Sequence, residues 1–188
     1  MTHPLQTPDL TNVRVIADSI NGKGDRLTSI IATFPRYILA ELNTHRMFSR
    51  NSASSRAIPT SKMIKSIQDN PYMPQITEWM KEHSGMQGYS FFTPEEVIEK
   101  GFVEDWLFDR DYAIHQAKRR IKQGISKQIG NRHLESFMWH TAIVSSTEFE
   151  NFFHLRVSPF AEPQFQKLSA LMLLKINMSI PKLLAPNE

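Results

Sequence analysis

The sequence predicts an α+β fold in one domain, residues 1–188. Two β-branched, alternating runs near the N-terminus are separated by a turn, which reads as an antiparallel hairpin. A strong helix start at Thr93 opens the longest helical pattern in the chain. Two further helical stripes, rich in Phe, Leu and Met, follow near the C-terminus.

In order, Val13–Asp18 (V-R-V-I-A-D) reads as the first strand, Asn21–Asp25 as a turn, and Leu27–Phe34 as the second strand. Pro35 suits a first helical position, and the spacing after it predicts a helix to about Met47. That helix would put Glu41 and His45 on one face. Beyond Asn51 the chain alternates, so an extended segment would point Ser52, Ser54 and Arg56 the same way. Ser61–Ile67 begins a helix that Asn70-Pro71 stops. Pro71–Tyr89, with Trp79 and a Gly85-Met86-Gln87-Gly88 turn, reads as a partly ordered loop.

Thr93-Pro94-Glu95-Glu96 combines an N-cap, a proline at the first position and a capping-box glutamate. Its helix is expected to reach about Ile125, burying Val97, Ile98, Phe102, Trp106, Tyr112, Ile114, Ala117 and Ile121. Ser126–Trp139 is short, mixed and basic. Thr147 and Glu150 read as another capping box, with Phe149, Phe152 and Phe153 as a core stripe. Pro163–Met178 is a helix burying Phe165, Leu168, Leu171, Met172 and Leu174, ended by Pro181.

A chain of 188 residues that is 40 % hydrophobic and 22 % charged can bury a core of its own. No apolar run is long enough to span a membrane, and the N-terminus has no secretory layout, so a cytoplasmic protein is expected. Cysteine is absent, which excludes disulfides, Cys-ligated zinc and thiolate catalysis. The net charge of +3 suits an anionic partner without naming it. His133, His140 and His154 match no common zinc spacing, so no metal is expected. The cations Lys118, Arg119, Arg120 and Lys122 suit the C-terminal end of their helix, and nucleic-acid binding by the Lys118–Lys127 stretch is a lesser alternative.

Glu41–Pro59 (E-L-N-T-H-R-M-F-S-R-N-S-A-S-S-R-A-I-P) is the most informative stretch. Arg46, Arg50 and Arg56 carry forked donors suited to phosphate, and its serines both donate and accept. A solvated turn or a general nucleic-acid contact has the same composition, so both readings stand at this point. The order of residues resembles the signature of the flavin-dependent thymidylate synthases: R-H-R, two residues, S, one residue, N-E, one residue, S, one residue, R. Thr44-His45-Arg46 stands for R-H-R, and Ser49, Asn51, Ser54 and Arg56 fall on the S, N, S and R positions. Thr44 replaces the first Arg, Ser52 the Glu, and Glu41 a Gln three residues upstream. The wording is most similar to a short, phage-type branch. Asn151 and Arg156 match the family's N-x-x-x-x-R, and Ala161–Phe165 stands for its A-Q-x-E-I with Gln and Glu exchanged.

The resemblance implies a mixed antiparallel sheet with packed helices, in a homotetramer with shared sites. It implies methylation of dUMP at C5, with FAD as cofactor and methylenetetrahydrofolate and NADPH as co-substrates. It assigns Arg156 and Ser54 to catalysis, and His45, Arg46, Asn51 and Asn151 to the flavin. It assigns Glu41, Thr44, Ser52, Ser54, Ser55, Arg56, Lys127 and Arg156 to the substrate, with Arg132 a second candidate beside Lys127. Family members are expected to carry a further segment beyond the position of Glu188. The departures motivate two alternatives: a related methylase or hydroxymethylase of another pyrimidine nucleotide such as dCMP, and a flavin- or nucleotide-binding protein without catalysis.

Overall fold

The structure, a computed structural model, describes residues 7–85 and 90–185. Met86, Gln87 and Gly88 of the expected turn, the first six residues and the last three lie outside the described residues. The fold is α+β. The strands are β1 (Asn12–Ile20), β2 (Arg26–Pro35), β3 (Ser49–Ser52), β4 (Trp139–Ser146) and β5 (Lys182–Leu183). They form one sheet in the order β3-β4-β2-β1-β5. β1 and β2 form the expected antiparallel hairpin, with a register shift between Val15 and Ala17. β3 pairs antiparallel with β4, and the short β5 runs parallel to β1. Side-chain bonds Ser29–Ser145 and Thr33–Thr141 rise along β2 as they fall along β4, so these neighbours are antiparallel too.

The chain divides into two compact units. Unit 1 takes the residues up to Asp9, Pro35–Tyr37 and Ala53–Trp139. It contains helices α2 (Thr60–Asp69), α3 (Pro94–Glu99), α4 (Phe102–Lys122) and α5 (Lys127–Gly130), and a 3-10 stretch Asn131–Phe137. One core packs Met63, Ile67, Ile114, Ala117, Leu134 and Phe137; a second packs Met73, Val97 and Val103 under Trp79 and Trp106. The Trp106 indole donates to the Tyr72 carbonyl at 3.0 Å, so the half-buried ring has its polar atom satisfied.

Unit 2 comprises Leu10–Phe34, Ile38–Ser52 and the chain from His140. It holds the sheet with α1 (Leu39–Leu42), α6 (Glu150–Arg156) and α7 (Pro163–Asn177). Its core joins alternate sheet residues (Val13, Ile30, Ala32, Phe34, Ala142, Val144) to Phe48, Phe152, Phe165, Leu168 and Met172. The alternation follows from one buried sheet face.

Several elements depart from expectation. The helix expected over Pro35–Met47 is a 3-10 turn at Arg36–Ile38 and a single α-turn, because β2 runs on through Pro35. The Thr44 amide and hydroxyl both bond the Glu41 carbonyl, at 3.1 and 2.7 Å, so His45 lies beyond the helix rather than on a shared face with Glu41. The extended run ends at Ser52; Ala57 N–H bonds Ser54 O at 2.9 Å and turns the chain, so Ser52, Ser54 and Arg56 do not share one strand face. The Thr93 capping box forms, but Gly101 in the left-handed region (φ 69°) splits the expected long helix into α3 and α4. Ile98, Tyr112 and Ile121 of the expected buried side face solvent. Phe149, not Thr147, is the N-cap residue of α6, and the Glu148 carboxylate just before it accepts from the first amides, those of Glu150 and Asn151. In α7, Leu174 is exposed and Ser169 and Ile176 take the buried face. The strands β4 and β5 had no expectation.

One charged side chain ties the hairpin to α7. The Arg26 fork grips Asp18 with Nε–Oδ1 2.9 Å and Nη2–Oδ2 2.6 Å. Nη2 also donates to the carbonyls of Ile176 and Ser179, at the C-terminal end of α7, whose last carbonyls lack helical partners. Thr28 adds a hydroxyl bond to Asp18 at 2.9 Å. The Arg26 hydrogen bond, despite burial, holds the Asp18 carboxyl at about 2 against an ordinary 3.8. A depressed carboxylate stabilises the fold above its ordinary value and stops doing so as pH falls through the folded one. Acid titration should therefore weaken the protein progressively from about pH 4 to pH 2. Asp18→Asn should cost about 1–3 kcal/mol at neutral pH and flatten that acid limb, read by urea melts across pH.

Candidate functional site

The site develops from the turn after α1, within unit 2. The Arg50 guanidinium reaches back from β3 to the carbonyls of Leu42 (2.9 Å) and His45 (3.0 Å). That fixes the loop carrying Thr44, His45 and Arg46, and it engages Arg50 in structure rather than leaving it all to a ligand. The buried hydroxyl of Ser146, at the end of β4, lies 3.0 Å from the Met47 carbonyl and pins the other side of the loop. Phe48 then drops into the core.

His45 sits on that core. Its ring meets Phe152 edge-on at 4.8 Å and lies 5.8 Å from Phe48 and 6.0 Å from Phe165. Arg156, at the end of α6, lies over the Phe165 ring at 4.7 Å and donates from Nε to His45 Nε2 at 3.1 Å. An imidazole nitrogen that accepts from a permanent cation carries a lone pair, which puts the His45 proton on Nδ1 and leaves the ring neutral. Burial, then the charges of Arg156 and Arg50, push its pKa below the ordinary value, in agreement with that geometry.

These groups wall a hollow of about 330 Å³ in unit 2, at the small end for ligand sites. Thr44, His45, Arg46, Asn151 and Arg156 all line it, joining two sequence motifs about a hundred residues apart. Met47, Phe48, Phe152 and Leu155 supply apolar surface, and Glu148 the carboxylate. Glu148 was missed by reading Thr147 as the cap, and no local signal marks it, since glutamate is not among the preferred N-cap residues. The hollow thus combines apolar side chains with two guanidinium groups, Arg46 and Arg156, and one carboxylate, Glu148.

The other expected residues lie elsewhere. Glu41 is exposed on α1, and Asn51 and Ser52 are exposed on β3; none lines the hollow. Ser54, Ser55, Arg56 and Lys127 belong to unit 1. There the Ser54–Ala57 turn is held from below. Asn131 Nδ2 donates to the carbonyls of Ser55 (2.8 Å) and Ile58 (2.9 Å), and Lys127 Nζ donates to Ala57 O at 3.1 Å. Ser55 is buried and gives its hydroxyl to Glu135, a structural bond that keeps it from solvent. Burial raises the Glu135 pKa, but the Ser55 bond and the charges of Arg36 and Arg132 outweigh it and hold the group below its ordinary value. Ser54 and Arg56 face solvent on this braced turn, and Lys127 and Arg132 are exposed beside Glu135's network. His140 is buried edge-on against Phe34 in unit 2, and no metal-binding cluster occurs among the described residues.

Because His45's pKa is depressed, it costs nothing above its ordinary value of 6.5 and destabilises the fold as pH drops through that value. Arg156→Gln removes one of the charges responsible, so it should raise the His45 pKa toward the ordinary value. NMR titration of the imidazole carbons reads this directly; an unchanged or lower value would refute the contact's electrostatic role.

The chain matches no family model and no curated protein. Among the described residues, no helix is long and apolar enough to cross a membrane. The fold is similar to crystal structures of a UMP/dUMP methylase, PolB, from Streptomyces cacaoi. Bound with 5-bromo-UMP, that structure aligns with TM-score 0.68 at 12 % identity, covering 88 % of this chain and 87 % of its own. Bound with 5-bromo-dUMP, it aligns with TM-score 0.65 at 14 % identity, covering 89 % of each. At such identities the likeness establishes the α+β architecture, and the residues must carry the rest.

Proposed function

We propose that the chain is a C5 methylase of a uracil nucleotide, dUMP first, working in the manner of the flavin-dependent thymidylate synthases. The observation that carries this is the meeting of His45 and Arg46 with Asn151 and Arg156 in one hollow, with Arg156 bonded to His45. The fold's likeness to a protein described as a UMP/dUMP methylase supports it and adds UMP as a second substrate to test. FAD is the proposed cofactor, with methylenetetrahydrofolate and NADPH as co-substrates. The donors at the rim and the aromatic floor fit one planar ring or one anionic group of a dinucleotide, while the volume is too small for all of FAD. When bound, FAD would supply the hydride that completes the transferred one-carbon unit as a methyl group.

The chain's own residues would do the rest. C5 of uracil is a weak nucleophile; it gains strength in an anionic, enolate-like form of the ring, whose negative charge rests on the base carbonyl oxygens until C5 attacks the one-carbon unit. Arg156 carries a fixed cation for that charge, pre-positioned by His45 Nε2 and the Phe165 ring. His45 does this only while neutral. Arg46 and Asn151 provide donors at the rim for the flavin. In unit 1, the braced turn presents Ser54 and Arg56 outward, a donor set suited to a nucleotide phosphate. Lys127 can add a point charge there but not a bidentate fork. A homotetramer with shared sites is part of the same proposal, as is work in the cytoplasm. Glu41, which motivated the cytosine alternative, does not line the hollow, so uracil is preferred to cytosine.

Protein incubated with FAD and desalted should keep a flavin absorption band, shifted by dUMP or UMP and not by dCMP. It should then convert the shifting nucleotide to its 5-methyl product when given methylenetetrahydrofolate and NADPH. Arg156→Ala should retain flavin yet lose about a hundredfold or more in turnover. Folded protein that holds no flavin would overturn the catalytic reading and favour a nucleotide-binding protein.

A further inference from the structure

Glu148 lines the hollow but has no task in the chemistry of Arg156, Arg46 and Asn151. The structure nevertheless holds it firmly. Its amide donates to the Ser146 hydroxyl oxygen at 3.0 Å, and that hydroxyl lies 2.7 Å from the Glu148 carbonyl. The same buried hydroxyl reaches the Met47 carbonyl, so one serine fixes both Glu148 and the loop that carries Arg46. The carboxylate is fixed too. Its Oε1 accepts from the first amides of α6, those of Glu150 and Asn151. Its Oε2 accepts from nothing among the described residues, and no cation there pairs with it.

This arrangement selects the end of a ligand that belongs beside Glu148. A carboxylate repels phosphate, so the neutral part of a nucleotide or dinucleotide fits better. Arg46, Asn151 and Arg156 are the donors among the lining residues. Arg156 meets His45 through Nε, which leaves its two terminal nitrogens for a ligand. Acceptors are scarcer. The His45 and Met47 carbonyls already accept, from Arg50 and from Ser146, and the Thr44 hydroxyl donates to the Glu41 carbonyl. Glu148 Oε2 is the strongest acceptor the hollow offers to an incoming N–H.

One strong acceptor among several donors matches an imide edge, an N–H between two carbonyls. Uracil and the isoalloxazine ring of flavin both carry that edge, with the proton on N3. Cytosine does not: its N3 bears a lone pair, which a carboxylate repels.

We propose that Glu148 is a specificity-determining residue of the hollow: Oε2 accepts the imide N3–H of the ring bound there, while the neighbouring guanidinium and amide donors take its carbonyls. This rests on the methylase reading, which brings both imide rings to the site. A residue that only capped α6 would use Oε1 and leave Oε2 idle.

Binding, rather than turnover, tests this. Titration calorimetry compares FAD with N3-methylated FAD on the full chain, and dUMP with N3-methylated dUMP on the flavin-loaded protein. Wild type should bind at least one imide ring about tenfold to a hundredfold more tightly than its methylated analogue. Glu148→Gln keeps an oxygen for the α6 amides and puts an NH2 group in place of Oε2. It should weaken that ring about tenfold or more and lose most of the discrimination, with far-UV circular dichroism unchanged; a purely steric effect of the methyl group would survive the substitution. The ring whose discrimination collapses identifies the source, flavin or nucleotide. NMR of wild type with FAD or dUMP labelled with nitrogen-15 at N3 needs no variant: the N3 proton should be protected from exchange and move downfield on binding.

Equal affinity for the methylated analogues of both rings, discrimination that persists in Glu148→Gln, or an N3 proton that exchanges as in free ligand would each overturn the proposal. Protein that binds a ring with this discrimination yet forms no 5-methyl product would overturn the methylase reading alone. Protein that methylates dUMP without the discrimination would overturn this inference alone, and protein that binds neither FAD nor dUMP would overturn both.

Discussion

Three rings, Phe48, Phe152 and Phe165, are at once the core of unit 2 and the seat of His45. Each is nearly fully buried, which is worth about 1.5–3 kcal/mol per side chain before strain is counted. Because the rings interlock with each other and with Leu168 and Met172, the loop after α1 and the helices α6 and α7 cannot shift separately. The polar groups above them inherit that rigidity. Arg156 lies over one of these rings and bonds a histidine that rests on all three. Preorganisation of the cation is thus a consequence of packing.

The regular elements were legible where local chemistry decides them. The β1–β2 hairpin, the Thr93 capping box and the Phe149–Phe153 stripe each follow from neighbours in sequence. The misses come where longer-range terms win. Nothing local shows that β2 continues through Pro35, because sheet pairing overrides a helix-start signal. Gly101 inside a helical pattern could be tolerated or could end a helix, and tertiary packing selects the left-handed break. β5 is two residues long and exists only through its partner β1.

The hollow was legible in part. His45, Arg46, Asn151 and Arg156 were singled out together by the resemblance to the flavin-dependent thymidylate synthase motifs, and the structure sets all four around one hollow. Arg46 and Arg50 are the same residue type in the same motif, yet only one is clear of the backbone. Arg50's partners are carbonyls of a turn whose course the sequence left as helix, so its structural role was invisible. Ser55 was hidden for the same reason: its partner Glu135 is eighty residues away.

The charge pattern of α4 follows from its own backbone. Acidic residues in a first turn and basic residues in a last turn complement the helix dipole. That accounts for Glu104, Asp105, Arg119, Arg120 and Lys122. Between the ends the dipole has little influence, and there Asp111 pairs with its neighbour Arg110, whose Nη2 lies 2.9 Å from Oδ1.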